Sequence, residues 1–202
     1  MKKTIFLSLV VALMAVGISG CVDNDRSLAI MWVLQPDVGE ECKVSYVGGD
    51  DQDGALFGGS LDVAYPGYGG EPFYMMSIQV HNNLSAEPEV CESCETNNHD
   101  IQLERMEVNY SFEKGREIVE GLAPSLLLLE DQQETLPVGG SLEAESINLV
   151  MGIPVINQQV GALLYSLGEE ADQVVLGISI RLIGTTLGGE RVESSDFLFP
   201  IY

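Results

Sequence analysis

The stretch IQLERMEVNYSF, residues 101–112, carries the clearest strand signal in the chain. Its side chains alternate between apolar and polar, which is the period-two pattern of a strand with one buried face. The apolar phase changes sides near Arg105, since Ile101 and Leu103 share one phase and Met106 takes the other. Because a change of phase by one residue turns the following side chains to the opposite face, the pattern predicts a β-bulge, or a move from one sheet to another, near Arg105.

Short apolar or alternating runs recur on both sides of this stretch, separated by Gly and Pro turns. Many short strands and few helices are typical of a β-sandwich. We therefore predict a mainly β protein, with a single β-sandwich (Ig-like or related) over residues 28–202. The other predicted strands are 28–34, 41–47, 55–57, 60–65, 73–81, 147–151, 173–182 and 191–201, with a hairpin turn over 184–190 and an edge strand, broken by Pro200, at the end of the chain.

One segment has helical spacing. Apolar residues at Ile156, Val160, Leu163, Leu164 and Leu167 recur every three to four positions, and an Asn follows the first of them, where it can cap the helix. The sequence therefore predicts one short helix near 156–167. The leucine run at 126–129 fits a strand or a helix by propensity, and its β-rich neighbours favour a strand.

Charge restricts the partners of this protein. The chain has 31 acidic and nine basic residues, a formal charge of −22. Nucleic acid is an unsuitable partner because phosphate binding requires clustered Lys and Arg, and anionic lipid head groups repel such a surface as well. Suitable partners are cations, basic proteins or neutral polymers, and the plain interpretation is that the acidic residues keep a surface domain soluble.

The first twenty residues have the layout of an export signal. Lys2 and Lys3 precede an apolar run at 5–16, which is too short for a spanning helix, and small residues follow it. We expect residues 1–20 to be a signal peptide that is removed. Without Lys2 and Lys3, seven basic residues stand against 31 acidic ones, a formal charge of −24.

The residues Ile18-Ser19-Gly20-Cys21 resemble the lipobox of bacterial lipoproteins. The resemblance implies that Cys21 is lipidated and becomes the first residue of the mature protein, with 21–27 as a tether. It also implies a lipid-anchored location in the bacterial cell envelope. Val22 follows the cysteine where an Asp would, by analogy with enterobacterial sorting, retain a lipoprotein in the inner membrane, so the outer membrane is favoured. In addition, residues 184–201 look like the ends of uncharacterised lipoproteins from myxobacteria, a likeness that implies no activity.

Three further cysteines, Cys42, Cys91 and Cys94, remain after Cys21. Thiols of exported proteins tend to pair, so we expect one disulfide and one remaining cysteine, with three pairings open. Together with His99, and with Cys42 or His81 as a fourth group, the Cys91 and Cys94 pair also has the ligand types of a zinc site, although a second closely spaced ligand pair is missing.

The segment DDQDG at 50–54 is the best candidate for a cation site. Carboxylates that alternate along a loop before a glycine bend can converge on one calcium ion, with Asp51 and Asp53 as the ligands. Gly49 and Ser60 stand where an EF-hand has its first Asp and last Glu, so the match to that pattern is poor. A solvated acidic turn without any cofactor is the plain interpretation.

No motif identifies an enzyme. The sequence has no Gly-x-Ser-x-Gly elbow, and His81 and His99 lie at or within the polar stretch 81–100, away from a convincing nucleophile. Trp32, in an apolar run, is expected in the core, with carbohydrate stacking as the alternative. The sequence therefore predicts a non-catalytic binding or structural module that meets an envelope protein or polymer, with a calcium-dependent adhesion module and an envelope hydrolase as alternatives.

Overall fold

The computed structural model describes residues 27–34, 36–38, 44–46, 55–61, 74–85 and 98–202. Strands dominate these residues. In chain order the elements are β1 (Leu28–Leu34), β2 (Pro36–Val38), β3 (Val44–Tyr46), β4 (Ala55–Leu56), β5 (Tyr74–Asn82), β6 (Ile101–Lys114), α1 (Arg116–Leu122), a first 3-10 helix (Pro124–Leu129), β7 (Gln133–Leu142), β8 (Ile147–Ile156), α2 (Gln158–Tyr165), a second 3-10 helix (Gly168–Gln173), β9 (Val175–Thr186), β10 (Arg191–Glu193) and β11 (Phe197–Ile201).

The strands form two antiparallel sheets that pack on each other, and β2 and β3 pair separately. One sheet has four strands in the order β4-β1-β5-β8. The other has β6 between β7 and β9, with β10 and β11 both pairing with β9. The inner faces of both sheets contribute to one cluster of buried side chains, which includes Ile78, Val80, Val108, Ile180 and Leu182. The predicted mainly β, sandwich-like fold is confirmed.

The predicted bulge near Arg105 is confirmed. Strand β6 shifts register between Leu103 and Arg105 against both of its neighbours. Ile101 and Leu103 are buried before the shift, and Met106 and Val108 are buried after it. The bulge thus restores the inward direction of the apolar side chains after the change of phase, so that one long strand keeps a single buried face.

Backbone hydrogen bonds join one edge of the four-stranded sheet to the β11 edge of the other, including one from the Leu61 N–H to the Tyr202 carbonyl at 3.0 Å. Gly59, just beyond β4, donates its N–H to the Pro200 carbonyl at 2.8 Å, and Tyr202 donates back to the Gly59 carbonyl at 3.0 Å. Beside them the rings of Tyr74 on β5 and Phe199 on β11 pack with centroids 6.3 Å apart. Both sheets are therefore held together by backbone as well as side-chain contacts.

Helix α2 confirms the predicted helix and its cap. The Asn157 side chain accepts a hydrogen bond from the Val160 N–H at 3.0 Å, and Val160 and Leu164 face the core. No helix in the part of the chain described is long and apolar enough to cross a membrane.

Several expectations about local structure were wrong or incomplete, and strand β7 was not predicted at all. The leucine run at 126–129 lies in the first 3-10 helix, where Pro124 occupies an early position and fixes a helical φ. Helix α1 was not predicted, since it is short and follows directly from β6. Ser60 and Leu61, predicted to begin a strand, lie outside the strands. The predicted strand 191–201 is two strands, because the pairing with β9 is interrupted at Ser195 and Asp196.

Candidate functional site

The site residues predicted from the sequence lie outside the described residues. These are Cys21, Cys42, Cys91, Cys94, Asp51 and Asp53. Lipidation, disulfide formation and calcium binding therefore stay predictions. Within the ranges that the structure describes, no group of three or more His, Cys, Asp or Glu side chains could hold a metal ion.

Both histidines are described, and neither lines the cleft near Glu134. His81 is on β5, opposite Ala29 of β1 and Ile147 of β8. The His99 ring Nδ1 lies 2.6 Å from the Ser85 carbonyl, a contact that holds together the two ends of the segment between β5 and β6.

The first candidate surface is the outer face of the four-stranded sheet. Ile78 and Val80 of β5 point to the core, so Gln79 and His81 point outward. Residues directly opposite in an antiparallel pair share a face. The strand register therefore places outward side chains of β1 and β8 next to those of β5. Trp32 and Leu149 flank Gln79, Ala29 and Ile147 flank His81, and Met75 lies further along β5.

Among the described residues, the strands of this sheet carry no full charge. Strands β1, β4, β5 and β8 contain no Asp, Glu, Lys or Arg. Met75, Ile147 and Leu149 expose 47%, 45% and 38% of their surface. In a chain this acidic, an exposed patch without charged side chains is a candidate contact surface. We call the outward residues Ala29, Trp32, Met75, Gln79, His81, Ile147 and Leu149 the uncharged face.

The expectation that Trp32 is a core residue was wrong. Its side chain is half-buried on the uncharged face, whereas Ile30 and Val33 take the inward positions of β1. The register of β1 against β5 shifts between Ile30 and Trp32, which is what turns the tryptophan outward. An apolar run without alternation does not reveal such a bulge, so the sequence pattern could not place the ring.

A second bulge shapes the same sheet. The register of β5 against β8 shifts between Met76 and Ile78, where Gly152 has a φ of +68°. This left-handed conformation is accessible to glycine at little cost. The Ser77 hydroxyl oxygen accepts a hydrogen bond from the Gly152 N–H at 3.4 Å. Together with Pro154, which has no N–H to donate, the bulge interrupts the edge strand β8 and disfavours pairing with a further strand.

The second candidate is a cleft of about 790 Å³ between the first 3-10 helix, β7 and the start of α2. Glu134 lies in its wall and is held from two sides. The Asn157 amide donates to Oε1 at 2.8 Å, and the Tyr110 hydroxyl lies 2.9 Å from Oε2. The same hydroxyl lies 2.8 Å from the Val155 carbonyl, so its one proton is shared between two acceptors on different sheets.

Electrostatics keep Tyr110 protonated. Burial, followed by the charge and hydrogen bond of Glu134, raises the pKa of Tyr110 above its ordinary value of 10.0. The phenol is therefore a hydrogen-bond donor and not a base. The other polar groups of the cleft are hydroxyls and amides, and its lining contains no Lys, Arg or His, so the cleft suits an uncharged polar ligand. These polar groups are Ser125, Gln132, Gln133, Thr135, Asn157 and Gln159.

Sequence reasoning missed both candidates. Tyr110 was assigned only to an alternating strand, and Glu134 and Asn157 become neighbours through folding, since 23 positions separate them. The uncharged face had a readable signal, because four of the apolar runs lack any charge while the rest of the chain is rich in carboxylates. Comparisons of the chain with protein-family models, with curated proteins and with solved structures each find no match.

Proposed function

We propose that this chain is a lipid-anchored protein of the bacterial cell envelope, in the outer membrane, which acts as a non-catalytic binding or structural module. The observation that carries the proposal is the short connection between the lipobox-like motif and the folded domain. A lipobox-type motif ending at Cys21 is followed, seven positions later, by β1 of a β-sandwich. Such a short connection suits a folded domain that is held close to a membrane by acyl chains on Cys21.

The binding role is supported by the chemistry of the domain. The uncharged face and the Glu134 cleft are surfaces suited to contact, and neither brings a histidine beside a nucleophile. The acidic composition favours a basic or neutral envelope protein or polymer as the partner.

Membrane fractionation tests the anchor. Replacing Cys21→Ser removes the lipidated thiol, so the variant should move from the membrane fraction to the soluble fraction, and labelling with a radioactive fatty acid should be lost. Cys42→Ser is the matched control, since it removes a thiol outside the lipobox and should stay membrane-bound and labelled. Retention of the Cys21→Ser protein in the membrane fraction would contradict the proposal.

A further inference from the structure

We propose that the uncharged face rests on the bilayer to which Cys21 is anchored, so that the outer face of the five-stranded sheet points away from the membrane. This inference depends on the lipid anchor proposed above. It assigns an orientation to the domain and a role to Trp32, Met75, Ile147 and Leu149.

The length of the tether brings the domain close to the lipid. From Cys21 to Leu28 there are seven residue steps, and a fully extended chain spans about 3.4 Å per step, or about 24 Å in total. A compact domain of this size is about 40 Å across. Since the tether is shorter than the domain is wide, part of the domain surface must lie near the head groups.

The attachment point lies at one end of the four-stranded sheet, where Leu28 also forms a β-bridge with Ser194 at the edge of the other sheet. The strand that follows the tether is β1, whose first residues, Leu28 and Ala29, pair with Asn82 and His81 of β5. Ala29 is itself on the uncharged face, at the end of β1 where the tether joins. The tether therefore enters the domain at the border of this face.

Charge also favours an orientation in which the uncharged face points toward the bilayer. The mature chain, with a formal charge of −24, is repelled by anionic lipid within a screening length of about 8 Å. The outer side of the five-stranded sheet carries Glu104, Glu107, Glu193 and Asp196, which are partly neutralised by ion pairs with Arg105, Arg181 and Arg191. Turning the uncharged face to the bilayer keeps these carboxylates on the far side, where repulsion is weakest.

The side chains of the face suit the head-group region. Tryptophan favours the membrane interface because its ring is apolar and its N–H is polar, and Met, Ile and Leu side chains add apolar contact. A patch of this kind supplements one or more acyl chains and would bind weakly by itself, in line with the need for two membrane signals.

A second copy of the chain fits the face less well. Three strands spaced about 4.8 Å apart, over about six residues of strand length, give a face of roughly 200–300 Å². A stable dimer buries about 800 Å² on each partner, so the uncharged face is too small for one. Contact with a bilayer does not require so large a buried area, because the lipid anchor on Cys21 already holds the domain near the membrane.

The single tryptophan makes the orientation measurable. The full lipidated protein is reconstituted into vesicles of phosphatidylcholine with some phosphatidylglycerol, with and without a head-group spin-labelled lipid, which quenches fluorescence at short range. We expect loss of Trp32 emission in the labelled vesicles. The matched variant combines Trp32→Phe with Leu198→Trp, which moves the ring to an exposed position on β11 opposite Ser179, on the outer side of the other sheet, and its emission should be unaffected.

A pair of charge variants provides the second arm. Leu149→Glu places a carboxylate on the uncharged face and should reduce the quenching of Trp32, whereas Leu198→Glu adds the same charge to the far sheet and should leave it unchanged. Both are exposed positions, so folding is expected to survive, and circular dichroism checks it.

The outcomes separate this inference from the proposed anchor. Vesicle flotation with equal quenching at the two tryptophan positions, or with no quenching of Trp32, overturns the orientation and leaves the anchor intact. Failure of the wild-type protein to float removes the anchor and the orientation together. A Trp32 that is shielded from a soluble quencher but not quenched by labelled lipid, in a protein that sediments as a dimer, overturns the inference in favour of a second copy.

Discussion

Strands β5 and β6 are each placed between two neighbours in their sheets, yet their outer sides differ. On β5 the outward positions include Met75, Gln79 and His81. On β6 they include Glu104 and Glu107, with Arg105 between them forming ion pairs to both. The inner sides of the two strands are alike, since Ile78, Val80, Met106 and Val108 are all fully buried.

The inner and outer faces of a β-sandwich are subject to different requirements. The inner faces must exclude water to stabilise the fold, and this makes them similar. The composition of the outer faces depends instead on what surrounds the protein. The acidic residues on the five-stranded sheet are partly neutralised by Arg105, Arg181 and Arg191, whereas the four-stranded sheet avoids charge altogether. The proposed orientation, with the uncharged face on the bilayer, would account for this contrast.

The largest expected effect tests whether the inner faces form one core. Ile78→Ala in β5 and Ile180→Ala in β9 each remove a fully buried side chain and should each lower the free energy of unfolding by about 2–5 kcal/mol. Urea unfolding of the unlipidated Cys21→Ser protein measures both. Leu198→Ala, an exposed position, should change the stability by about 0.5 kcal/mol or less. A small loss for only one of the two isoleucines would show that the sheets do not share a core.

The next effect concerns the junction between the sheets. A Cβ at Gly59 would lie 2.5 Å from the Tyr74 hydroxyl and 2.5 Å from Cδ1 of Ile201, so Gly59→Ala should destabilise the protein by about 1–3 kcal/mol. Gly121→Ala is the control. No atom lies within 4 Å of that added Cβ, and alanine in helix α1 should stabilise by about 0.5–1 kcal/mol. Equal stability of the two variants would contradict the close packing at the junction.

The Tyr110 hydroxyl contacts both sheets and can lose its proton, so the stability of the protein should depend on pH. Its folded-state pKa is raised, so the unfolded chain ionises first and stability should fall as the pH rises above about 10, by up to about 1.4 kcal/mol per pH unit. Below that pH this contribution is fully present. Tyr110→Phe should cost about 1 kcal/mol at neutral pH and make the alkaline decline less steep. Thermal unfolding between neutral and alkaline pH measures both effects, and an unchanged alkaline slope would contradict the assignment.

The smallest effect belongs to the charged outer face. Arg181 donates to both oxygens of Asp196, at 2.9 and 3.0 Å, but the pair is largely exposed to solvent. Arg181→Gln should therefore cost no more than about 1 kcal/mol, and the cost should diminish in about 1 M salt, where the screening length is about 3 Å. Gln79→Leu on the uncharged face is the matched control and should show no salt-dependent difference from wild type. A salt-independent loss for Arg181→Gln would mean that packing, and not charge, is responsible.

Local signals in the sequence predicted a large part of the fold. The change of phase at Arg105 predicted the bulge of β6, and the position of Asn157 before an apolar helical pattern predicted the cap of α2. Both features depend on a few neighbouring residues, whose backbone preferences and periodicity are visible without knowledge of the partner strands. The leucines of the first 3-10 helix were misassigned because propensity alone does not separate the alternatives for a short apolar run.

The candidate surfaces were less accessible to sequence reasoning. Trp32, Gln79 and Leu149 come from three strands and meet only through the pairing of β5 with β1 and β8. Tyr110, Glu134 and Asn157 likewise come together from β6, β7 and the start of α2. The alternation in the sequence shows only that successive side chains point to opposite faces of a strand. The bulges and the register decide to which face a given side chain points and which residues are its neighbours.

The sequence by itself determined the mainly β class, the strong negative charge, the capped helix α2 and the lipobox-like motif at Cys21, because composition and short-range patterns are properties of the chain alone. Only the tertiary structure decided that four uncharged runs gather in one sheet, that Trp32 points outward from it, and that Tyr110 joins it to the charged sheet. These features follow from pairings between residues far apart in the chain, which are selected by the burial of both inner faces at once.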